Sequence, residues 1–505
     1  MSLLFADIDF IEASGDLAAV DIGGIAHDSR RVVAGDLFCC VPGLVTDGHV
    51  HAGEAVERGA AGIVCEHLIP ALLERPVVQA RVAAGTMRPV MAQLAATFYG
   101  HPAQDLLMTG VTGTNGKTTV TTLLGSILDS TGRPANVLGT LSGARTTPEA
   151  IEVQRVLAAV RDRQRSDGRT HAVVMEVSSH ALVHARVDGI RFDVAVFTNL
   201  SHDHLDFHGT MESYFDAKAL LFTPERAAIG VVNADDPWGL RLLGRARIPM
   251  VPVRMDGAGD VELGPGRSAF SWRGHRVRTP LTGAVNVANS LLAAEAALAL
   301  GLGAGEVAEA LGHVEPVPGR LQLIAAPSPV AGTSDRPPFT VLVDYAHTPA
   351  GLETVLHEAR GLAGTRGRVL VVFGCGGHRD QQKRPIMGGL ASALADLAMV
   401  TSDNPRDEDP AAIIEDVMAG VPASSDHVAV EPDRHLAIGR MLERARPGDV
   451  VVVAGKGHET YQEIQGDRLP FDDVEEIRKA LTDRYPAPPA AWVPTGGGHD
   501  APEVG

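Results

Sequence analysis

The sequence predicts an α/β protein of three domains, and three observations support this. Short apolar runs alternate with amphipathic helical patterns, which is typical of mainly parallel sheets covered by helices. The chain has 505 residues, which suggests about three domains. The alternating pattern stops near residue 316 and then restarts. The predicted parts are a small N-terminal α/β domain (1–104), a central domain (105–316), a doubly wound C-terminal domain (317–484) and a disordered tail (485–505).

The N-terminal part carries short elements bounded by clear stop signals. An apolar strand at 36–41 ends at Pro42-Gly43, and a second strand is predicted at 62–65. Helices are predicted at 52–58 and 87–99. The second helix stops at Gly100-His101-Pro102, which marks the domain boundary.

The two larger domains repeat the same alternation. In the central domain we expect strands at 106–112, 171–177, 193–199 and 228–233, and helices at 117–130, 211–222 and 287–300. In the C-terminal domain we expect strands at 340–344, 368–374, 397–402 and 449–453, and helices at 350–362, 384–395, 410–419 and 434–445. The Pro- and Gly-rich tail cannot bury enough apolar area to offset its chain entropy.

The amino-acid composition disfavours several classes of protein. A formal net charge of −18 disfavours nonspecific nucleic-acid binding. The four cysteines form no CxxC pair, which predicts reduced thiols in a cytoplasmic protein. The N-terminus lacks a basic signal-peptide region, and no apolar run is long enough to predict a membrane span. We expect a monomer.

A glycine loop at 113–119 carries the strongest chemical signal. The sequence Gly-Thr-Asn-Gly-Lys-Thr-Thr lies between a predicted strand and a predicted helix. Such a loop offers backbone N–H groups to phosphate, Lys117 adds a positive charge and Thr118 a hydroxyl for Mg²⁺. Val111 replaces the first glycine of the strict P-loop, so the loop is P-loop-like. It predicts binding of a nucleoside triphosphate.

Other polar groups in the central domain lie at or near strand ends. Glu176 ends a strand, where a carboxylate is suited to Mg²⁺. Residues 201–208 hold three histidines and two aspartates, which favours an active-site role, although the spacing matches no standard zinc signature. Lys218 is a lone cation among apolar neighbours, and the residues alone favour a snorkelling surface lysine.

Three predicted strand ends of the C-terminal domain also carry polar or Gly-rich loops, at 374–380, 403–406 and 455–459. Arg379 and Arg406 offer bidentate groups for a carboxylate, and Glu459 offers a partner for an ammonium group. A ligand with both groups, such as an amino acid, would fit. The alternative is turn chemistry with surface ion pairs.

Ordered motifs across most of the chain resemble the Mur ligase family, whose members use ATP to add amino acids to the peptidoglycan precursor. The motifs are TGTNGKTT (112–119), EVSSHAL (176–182), TNLSHDHLDFHG (198–209), YFDAKALLF (214–222), GAVNVAN (283–289), VPGR (317–320), DYAHTP (344–349) and FGCGGHRD (373–380). HDSR (27–30) and the loop 42–48 resemble the nucleotide-sugar domain of the third-step members. The resemblance implies a P-loop-like central ATPase domain and a Rossmann-like C-terminal domain.

The resemblance also implies site residues. ATP would contact Gly113, Thr114, Asn115, Gly116, Lys117, Thr118, Thr119, Asn286, Asn289, Arg320 and Asp344. Catalysis would use Lys117, Glu176, His204 and Lys218, with Mg²⁺ held by Thr118, Glu176, His204 and a carbamylated Lys218. The UDP-sugar peptide would contact Ser29, Leu44, Val45, Thr46, Thr146, Thr147, Ser178, His184 and Arg186.

For the amino acid, DNPR (403–406) resembles the loop of members that take meso-diaminopimelate, whose extra carboxylate Arg406 can bind. The implied contacts are Arg379, Asp403, Asn404, Pro405, Arg406, Gly455 and Glu459. His184 and His378 depart from the usual family residues. The implied reaction joins the amino acid to UDP-N-acetylmuramoyl-L-Ala-D-Glu through an acyl phosphate. An L-lysine-adding ligase, a nucleotide-gated binding protein and a zinc hydrolase remain alternatives.

Overall fold

A computed structural model describes residues 4–6, 8–16, 19–43, 46–143, 145–325, 337–378 and 380–484. Two compact units are present. The first comprises residues up to Leu263 together with Arg267–Val317, and the second comprises Gly264–Gly266 together with residues from Pro318 onward. The predicted tail at 485–505 lies outside the described residues. The predicted domain boundaries stay a prediction.

A five-stranded sheet begins the first unit, in the order β1-β5-β4-β3-β2. Strand β1 pairs antiparallel with β5, and the other described pairings are parallel. The elements are β1 (Glu12–Ala13), β2 (Gly24–Ala26), β3 (Asp36–Cys39), α1 (Ala52–Glu57), β4 (Gly62–Cys65), β5 (Val78–Arg81) and α2 (Met87–Phe98).

The central sheet has six parallel strands in the order β11-β10-β9-β6-β8-β7. Its strands are β6 (Leu107–Thr112), β7 (Ala135–Leu138), β8 (Ala172–Glu176), β9 (Phe192–Phe197), β10 (Ala227–Asn233) and β11 (Met250–Val253). The helices are α3 (Lys117–Ser130), α4 (Ala150–Asp167), α5 (Ser179–Val183), α6 (Leu205–His208), α7 (Met211–Ala219), α8 (Pro237–Arg245), α9 (Ala284–Ala299) and α10 (Ala304–Leu311).

Alternation of side chains along the strands places apolar residues on both faces of this sheet. On β6, Val111 joins the core that contains the apolar residues of α3, α9 and α10. Met108, on the opposite face, joins the core built with α4, α5, α7 and α8. Because both faces are covered, polar side chains concentrate at the strand ends, where the loops begin.

The second unit holds another six-stranded sheet in the order β15-β16-β20-β17-β18-β19, with only β15 antiparallel among the described pairings. Its strands are β15 (Gln322–Ala325), β16 (Thr340–Asp344), β17 (Val369–Phe373), β18 (Leu397–Val400), β19 (Val428–Val430) and β20 (Val450–Ala454). The helices are α11 (Pro349–Ala363), α12 (Lys383–Leu394), α13 (Pro410–Met418), α14 (Arg434–Arg444) and α15 (Asp473–Arg484).

The predicted α/β class is confirmed, and each strand and helix predicted above is present, with ends that differ by at most a few residues. The sequence did not predict α4, nor a three-stranded sheet of β12 (Gly259–Gly264), β13 (Arg267–Trp272) and β14 (His275–Thr279), in which β13 and β14 pair antiparallel. It also missed the hairpin of β21 (Tyr461–Ile464) and β22 (Asp467–Pro470).

A fully buried ion pair joins α14 and α15 in the second unit. Arg434 donates from Nε and Nη2 to the two carboxylate oxygens of Asp473, at 2.7 Å each, and both side chains are 0% exposed. Nη2 of Arg434 also donates to the carbonyl oxygen of Ala454, at the end of β20. This guanidinium therefore ties two helices to a strand end.

Replacing Asp473 with Asn should destabilise the second unit by about 3–5 kcal/mol, because it leaves the buried guanidinium of Arg434 without its charge partner. Arg478→Gln is the control, since Arg478 pairs with Glu475 while both side chains are mostly exposed. Urea unfolding followed by circular dichroism would measure both. Equal unfolding midpoints for wild type and Asp473→Asn would contradict the assigned role of the ion pair.

Candidate active site

The glycine loop Gly113–Gly116 connects β6 to α3, as the sequence predicts. Gly113 and Gly116 have φ angles of +148° and +85°. A Cβ on Gly113 would lie 1.8 Å from Oγ1 of Thr198, and one on Gly116 would lie 2.7 Å from Oδ1 of Asn289. Both positions therefore require glycine, and Asn289, predicted for ATP, borders the loop.

Residues just after β9 hold this loop in place. Asn199 accepts hydrogen bonds from the backbone N–H of Thr114 at its carbonyl and from that of Asn115 at Oδ1, each at 2.9 Å. Oγ1 of Thr198 donates to the carbonyl oxygen of Asn115 at 2.6 Å. Strand β9 pairs directly with β6. The residues that hold the loop therefore follow the strand next to the one from which the loop emerges.

The first turn of α3 and the start of α9 supply the other predicted ATP residues of this unit. Thr118 and Thr119 are buried in that first turn. Asn286 donates from Nδ2 to the carbonyl of Thr282 at 2.9 Å and accepts from Nδ2 of Asn289 at 3.3 Å. The two asparagines therefore form one polar pair beside the glycine loop.

Two lysines donate to the same backbone oxygen. The Nζ atom of Lys117 lies 3.0 Å from the carbonyl oxygen of Gly113, and Nζ of Lys218 lies 2.7 Å from that oxygen. Lys218 is 1% exposed, so the prediction of a snorkelling surface lysine is wrong. Its aromatic and loop neighbours come from tertiary packing, which the local pattern does not reveal.

Burial lowers the pKa of Lys218 well below its ordinary value, and the neighbouring ammonium of Lys117 lowers it further, while Asp203 opposes both. Its Nζ lies 4.6 Å from the centre of the Tyr214 ring, and the Tyr214 hydroxyl lies 3.3 Å from Oγ1 of Thr114. A buried amine with a lowered pKa is available in its neutral, nucleophilic form.

The histidine-rich segment packs its rings against Tyr214, the aromatic residue beside this amine. His208 stacks on Tyr214 with ring centres 4.8 Å apart, and His204 lies edge-on to Tyr214 at 6.2 Å. Burial lowers the pKa of His180 and of His208 to about 4 each, so both rings are neutral at pH 7. Burial also lowers the pKa of His204, and Asp203 opposes this shift.

Within the described ranges, no three His, Cys, Asp or Glu side chains are arranged to hold a metal ion. The four cysteines are all buried and free, in agreement with reduced thiols.

Glu176 lies at the edge of the sheet from which the glycine loop emerges, because it pairs in register with Val111 on β6. The side chain is 1% exposed. Its carboxylate accepts from the backbone N–H of Thr140 at 2.8 Å and from the Thr140 hydroxyl at 3.2 Å. These bonds fix the carboxylate in one orientation.

The residues predicted for the sugar peptide lie next to Glu176. The hydroxyl of Thr146 lies 3.2 Å from that of Thr140. Thr147 donates to the carbonyl of Glu176 at 2.8 Å and to Oγ of Ser178 at 3.3 Å. Arg186 donates to the carbonyl of Thr147 at 3.2 Å. Their proximity agrees with one shared binding site.

Two arginines beside this site, Arg88 and Arg145, were not predicted from the sequence. The buried carboxylate of Glu149 pairs with Arg88, Arg145 and Arg186. Burial lowers the pKa of the nearby His184, and the charges of Arg88 and Arg186 lower it further. Three guanidinium groups around one carboxylate leave a local excess of positive charge in an acidic protein.

Two predicted contacts of the UDP-sugar peptide, Ser29 and Thr46, lie near the start of α1. Ser29 donates from Oγ to Oε2 of Glu54, on α1, at 2.7 Å, and Oγ1 of Thr46 lies 2.8 Å from Nε2 of His51, just before α1. Leu44 and Val45 lie outside the described residues.

In the second unit, Arg320 precedes β15 and Asp344 ends β16, and the two side chains lie close enough for the charge of Arg320 to act on Asp344. Asp344 accepts from the backbone N–H of Leu321 at 2.7 Å. Burial raises the pKa of Asp344, and the charge of Arg320 opposes this shift. The Arg320 guanidinium lies 4.5 Å from the centre of the Tyr345 ring, which leaves a cation and a carboxylate beside an aromatic face.

The predicted amino-acid loop follows β18. Asp403 and Asn404 are buried, and Arg406 has a φ of +54°. Nδ2 of Asn404 donates to Oε2 of Glu459 at 2.7 Å, so the structure brings these two predicted contacts together. Gly455 lies beside them, because a Cβ there would be 3.1 Å from Oδ2 of Asp403.

Arg406 extends from the same loop, where Pro405 precedes it. Nη1 of Arg406 donates to the carbonyl of Gly377 at 2.6 Å, and Nε lies 3.4 Å from Oε2 of Glu463. A Cβ on Gly377 would lie 1.9 Å from the Pro405 carbonyl, so the 374–378 loop packs directly on 403–406. Arg379, predicted for the same ligand, lies outside the described residues.

Family models match three successive parts of the chain. They describe a Mur ligase family catalytic domain at residues 21–99, a Mur ligase middle domain at 111–297 and a Mur ligase glutamate ligase domain at 319–457. A relative from Gloeobacter violaceus, named UDP-N-acetylmuramoyl-L-alanyl-D-glutamate–2,6-diaminopimelate ligase, is 43% identical over 93% of this chain and 96% of its own length. The chain belongs to the Mur ligase family.

Other Mur ligases are similarly related. A relative of the same name from Geobacillus kaustophilus is 44% identical over 92% of this chain and 96% of its own length. A solved structure of a ligase of this name matches with a TM-score of 0.61 and 30% identity, over 92% of this chain and 95% of that one.

In the part of the chain that the structure describes, no helix is long and apolar enough to cross a membrane.

Proposed function

We propose that this protein is the ATP-dependent ligase that joins meso-2,6-diaminopimelate to the D-glutamate γ-carboxylate of UDP-N-acetylmuramoyl-L-Ala-D-Glu, releasing ADP and phosphate. The observation that carries the proposal is the 43% identity, over 93% of the chain, to a relative with this activity in its name. The glycine loop and the 403–406 loop supply matching chemistry. We further propose that the protein is cytoplasmic and monomeric.

The reaction requires activation, because a carboxylate is a poor electrophile. Transfer of the γ-phosphoryl group from ATP to a carboxylate oxygen gives an acyl phosphate with a good leaving group. We assign Lys117 to the transferred group, since its ammonium contacts the Gly113 and Thr114 carbonyls of the glycine loop, and the backbone N–H groups of residues 116–119 to the other phosphates. The amine of diaminopimelate then attacks, and the tetrahedral intermediate collapses to amide and phosphate.

The donors around the loop fit Mg²⁺. Thr118 offers a hydroxyl, Glu176 a fixed carboxylate and His204 a neutral imidazole, and Mg²⁺ prefers oxygen ligands that it shares with substrate phosphates. Glu176 and the loop emerge at the same edge of the sheet. Once bound, the ion would screen the negative charge of the phosphoryl group being transferred.

Lys218 is proposed to act as a carbamate. A neutral amine can add to CO₂, whereas an ammonium cannot, and burial favours the neutral form of Lys218. Carbamylation would convert the amine that donates to the Gly113 carbonyl into an anion near Lys117. The anion would attract the Lys117 ammonium, and it would offer an oxygen ligand to Mg²⁺.

The choice of amino acid is assigned to the 403–406 loop. Meso-diaminopimelate carries one carboxylate more than L-lysine does, and the Arg406 guanidinium can bind it with two parallel hydrogen bonds. Asn404 and Glu459, joined by a 2.7 Å hydrogen bond, are proposed to contact the amino-acid group at the other end. L-Lysine has no second carboxylate for Arg406 to bind.

The sugar peptide is proposed to lie along Ser29, Thr46, Thr146, Thr147, Ser178, His184 and Arg186. The arginines around Glu149 favour this placement, because the substrate carries a diphosphate and free carboxylates. Arg88 and Arg145 join the proposed contacts for this reason.

A coupled assay of ADP and phosphate release tests the proposed function. With ATP and the UDP-dipeptide present, meso-diaminopimelate should support turnover at least about 100-fold better than L-lysine, since lysine lacks the carboxylate that the Arg406 guanidinium is proposed to bind. Lys117→Ala should abolish ADP formation while binding of the UDP-dipeptide, measured by calorimetry, survives. Faster turnover with L-lysine would reassign the protein to a lysine-adding ligase.

Replacing Lys218 with Ala should lower kcat by about 10²-fold or more, because a charged group that orients the transferring phosphoryl group is lost. Short carboxylates such as formate or acetate should restore part of the rate, since they can fill the position of the carbamate. Lys117→Ala is the control that carboxylates should not rescue. Normal activity of Lys218→Ala without any carboxylate would remove Lys218 from the mechanism.

A further inference from the structure

A buried lysine, Lys456, lies behind the proposed amino-acid site. It follows β20 in the sequence Gly455-Lys456-Gly457, and its side chain is 0% exposed. Its Nζ donates to Oδ1 of Asn404 at 3.1 Å, to Oε2 of Glu459 at 3.3 Å and to the carbonyl oxygen of Tyr461. One ammonium therefore contacts both side chains that are proposed to bind the amino acid.

These bonds fix the orientation of Asn404. Its Oδ1 accepts from Nζ of Lys456 and from the backbone N–H of Glu463 at 3.0 Å. Because that oxygen is occupied by two donors, the Nδ2 group faces Glu459 and donates to Oε2 at 2.7 Å. Lys456, Asn404 and Glu459 thus form a closed triangle of hydrogen bonds.

The same ammonium balances charge in the buried site. Nζ of Lys456 lies 3.9 Å from Oδ1 of Asp403. Asp403 and Glu459 lie in the same region of the unit, where Arg434 is already paired with a third acid, Asp473. Without Lys456, electrostatic repulsion would favour separation of the two acids and would change the direction in which Glu459 presents its carboxylate.

We infer that Lys456 is a positioning residue for the amino-acid substrate: it holds Asn404 and Glu459 at a fixed separation and orientation. The inference rests on the proposed function, because it takes these two residues as substrate contacts. Lys456 itself is enclosed by protein groups and acts through them. Its loss should therefore weaken binding of the amino acid while the nucleotide and sugar-peptide sites, which involve other residues, keep their affinity.

The loop should keep its backbone position without this lysine. The backbone N–H of Arg406 donates to the carbonyl of Glu463 at 2.8 Å, and that of Gln465 donates to the carbonyl of Arg406 at 2.7 Å. Nε2 of Gln462 donates to the carbonyl of Asp403 at 3.0 Å. Strand β21 therefore anchors the loop through contacts that a substitution of Lys456 leaves in place.

Steady-state kinetics of the full-length Lys456→Met variant tests the inference. Met keeps the length of the side chain and removes its charge and donors. The KM for meso-diaminopimelate should rise about 10- to 100-fold, the range expected when charge-assisted hydrogen bonds are lost. The KM values for ATP and the UDP-dipeptide, and kcat at saturating amino acid, should change little. If Lys456→Met does not fold, Lys456→Gln should give the same pattern with a smaller rise.

Arg368→Met is the matched control for a purely structural effect. Arg368 pairs with the buried Asp449 at 2.6 Å, and the two residues precede β17 and β20 at the opposite edge of the same sheet. This variant should lower the melting temperature and leave the KM for meso-diaminopimelate unchanged.

The outcomes separate the inference from the proposed function. No turnover of meso-diaminopimelate by the wild type would refute the proposed function. An active wild type with an unchanged KM in Lys456→Met would overturn the inference alone. A parallel rise of all three KM values, or the same pattern in Arg368→Met, would show a structural role and would also overturn it.

Discussion

The structure of the candidate site depends on one carbonyl oxygen, that of Gly113, which accepts hydrogen bonds from both Lys117 and Lys218. Lys218 is buried, and the ammonium of Lys117 contacts the same neutral oxygen. Burial lowers the pKa of Lys218, and the charge of Lys117 lowers it further. A loop glycine is needed because a Cβ at this position would collide with Thr198. The glycine therefore allows the loop to pack closely against Thr198.

In both six-stranded sheets, polar groups concentrate at the strand ends. Their faces are covered by helices, so polar side chains accumulate where strands end. In the first unit, the ends of β6, β8 and β9 carry the glycine loop, Glu176 and Thr198-Asn199. In the second unit, the ends of β18 and β20 carry Asp403 to Arg406 and Gly455 to Glu459. Buried cations then compensate buried acids, as Arg434 does for Asp473, and the loops keep a defined geometry.

Features that follow from a local sequence pattern could be predicted. Contacts between residues far apart in the sequence could not. Helix α3 begins at Lys117 as predicted, because the glycine loop marks its start. Lys218 was placed on the surface because its neighbours in sequence are apolar, whereas its acceptor lies 105 residues away. Glu149 and Arg88 are 61 residues apart, and Lys456 and Asn404 are 52 apart. No local periodicity reveals such pairs, although the capping box at Glu149 could have signalled α4.

The central claim is that ATP activates the D-glutamate γ-carboxylate by transferring its γ-phosphoryl group to it, which forms an acyl phosphate. An ¹⁸O label in the γ-carboxylate of the D-glutamate residue tests this most directly. If an acyl phosphate forms, the amine expels phosphate together with one carboxylate oxygen, so mass spectrometry of the released phosphate should show one ¹⁸O per molecule of amide formed. Phosphate without the label, released in step with amide formation, would contradict the account.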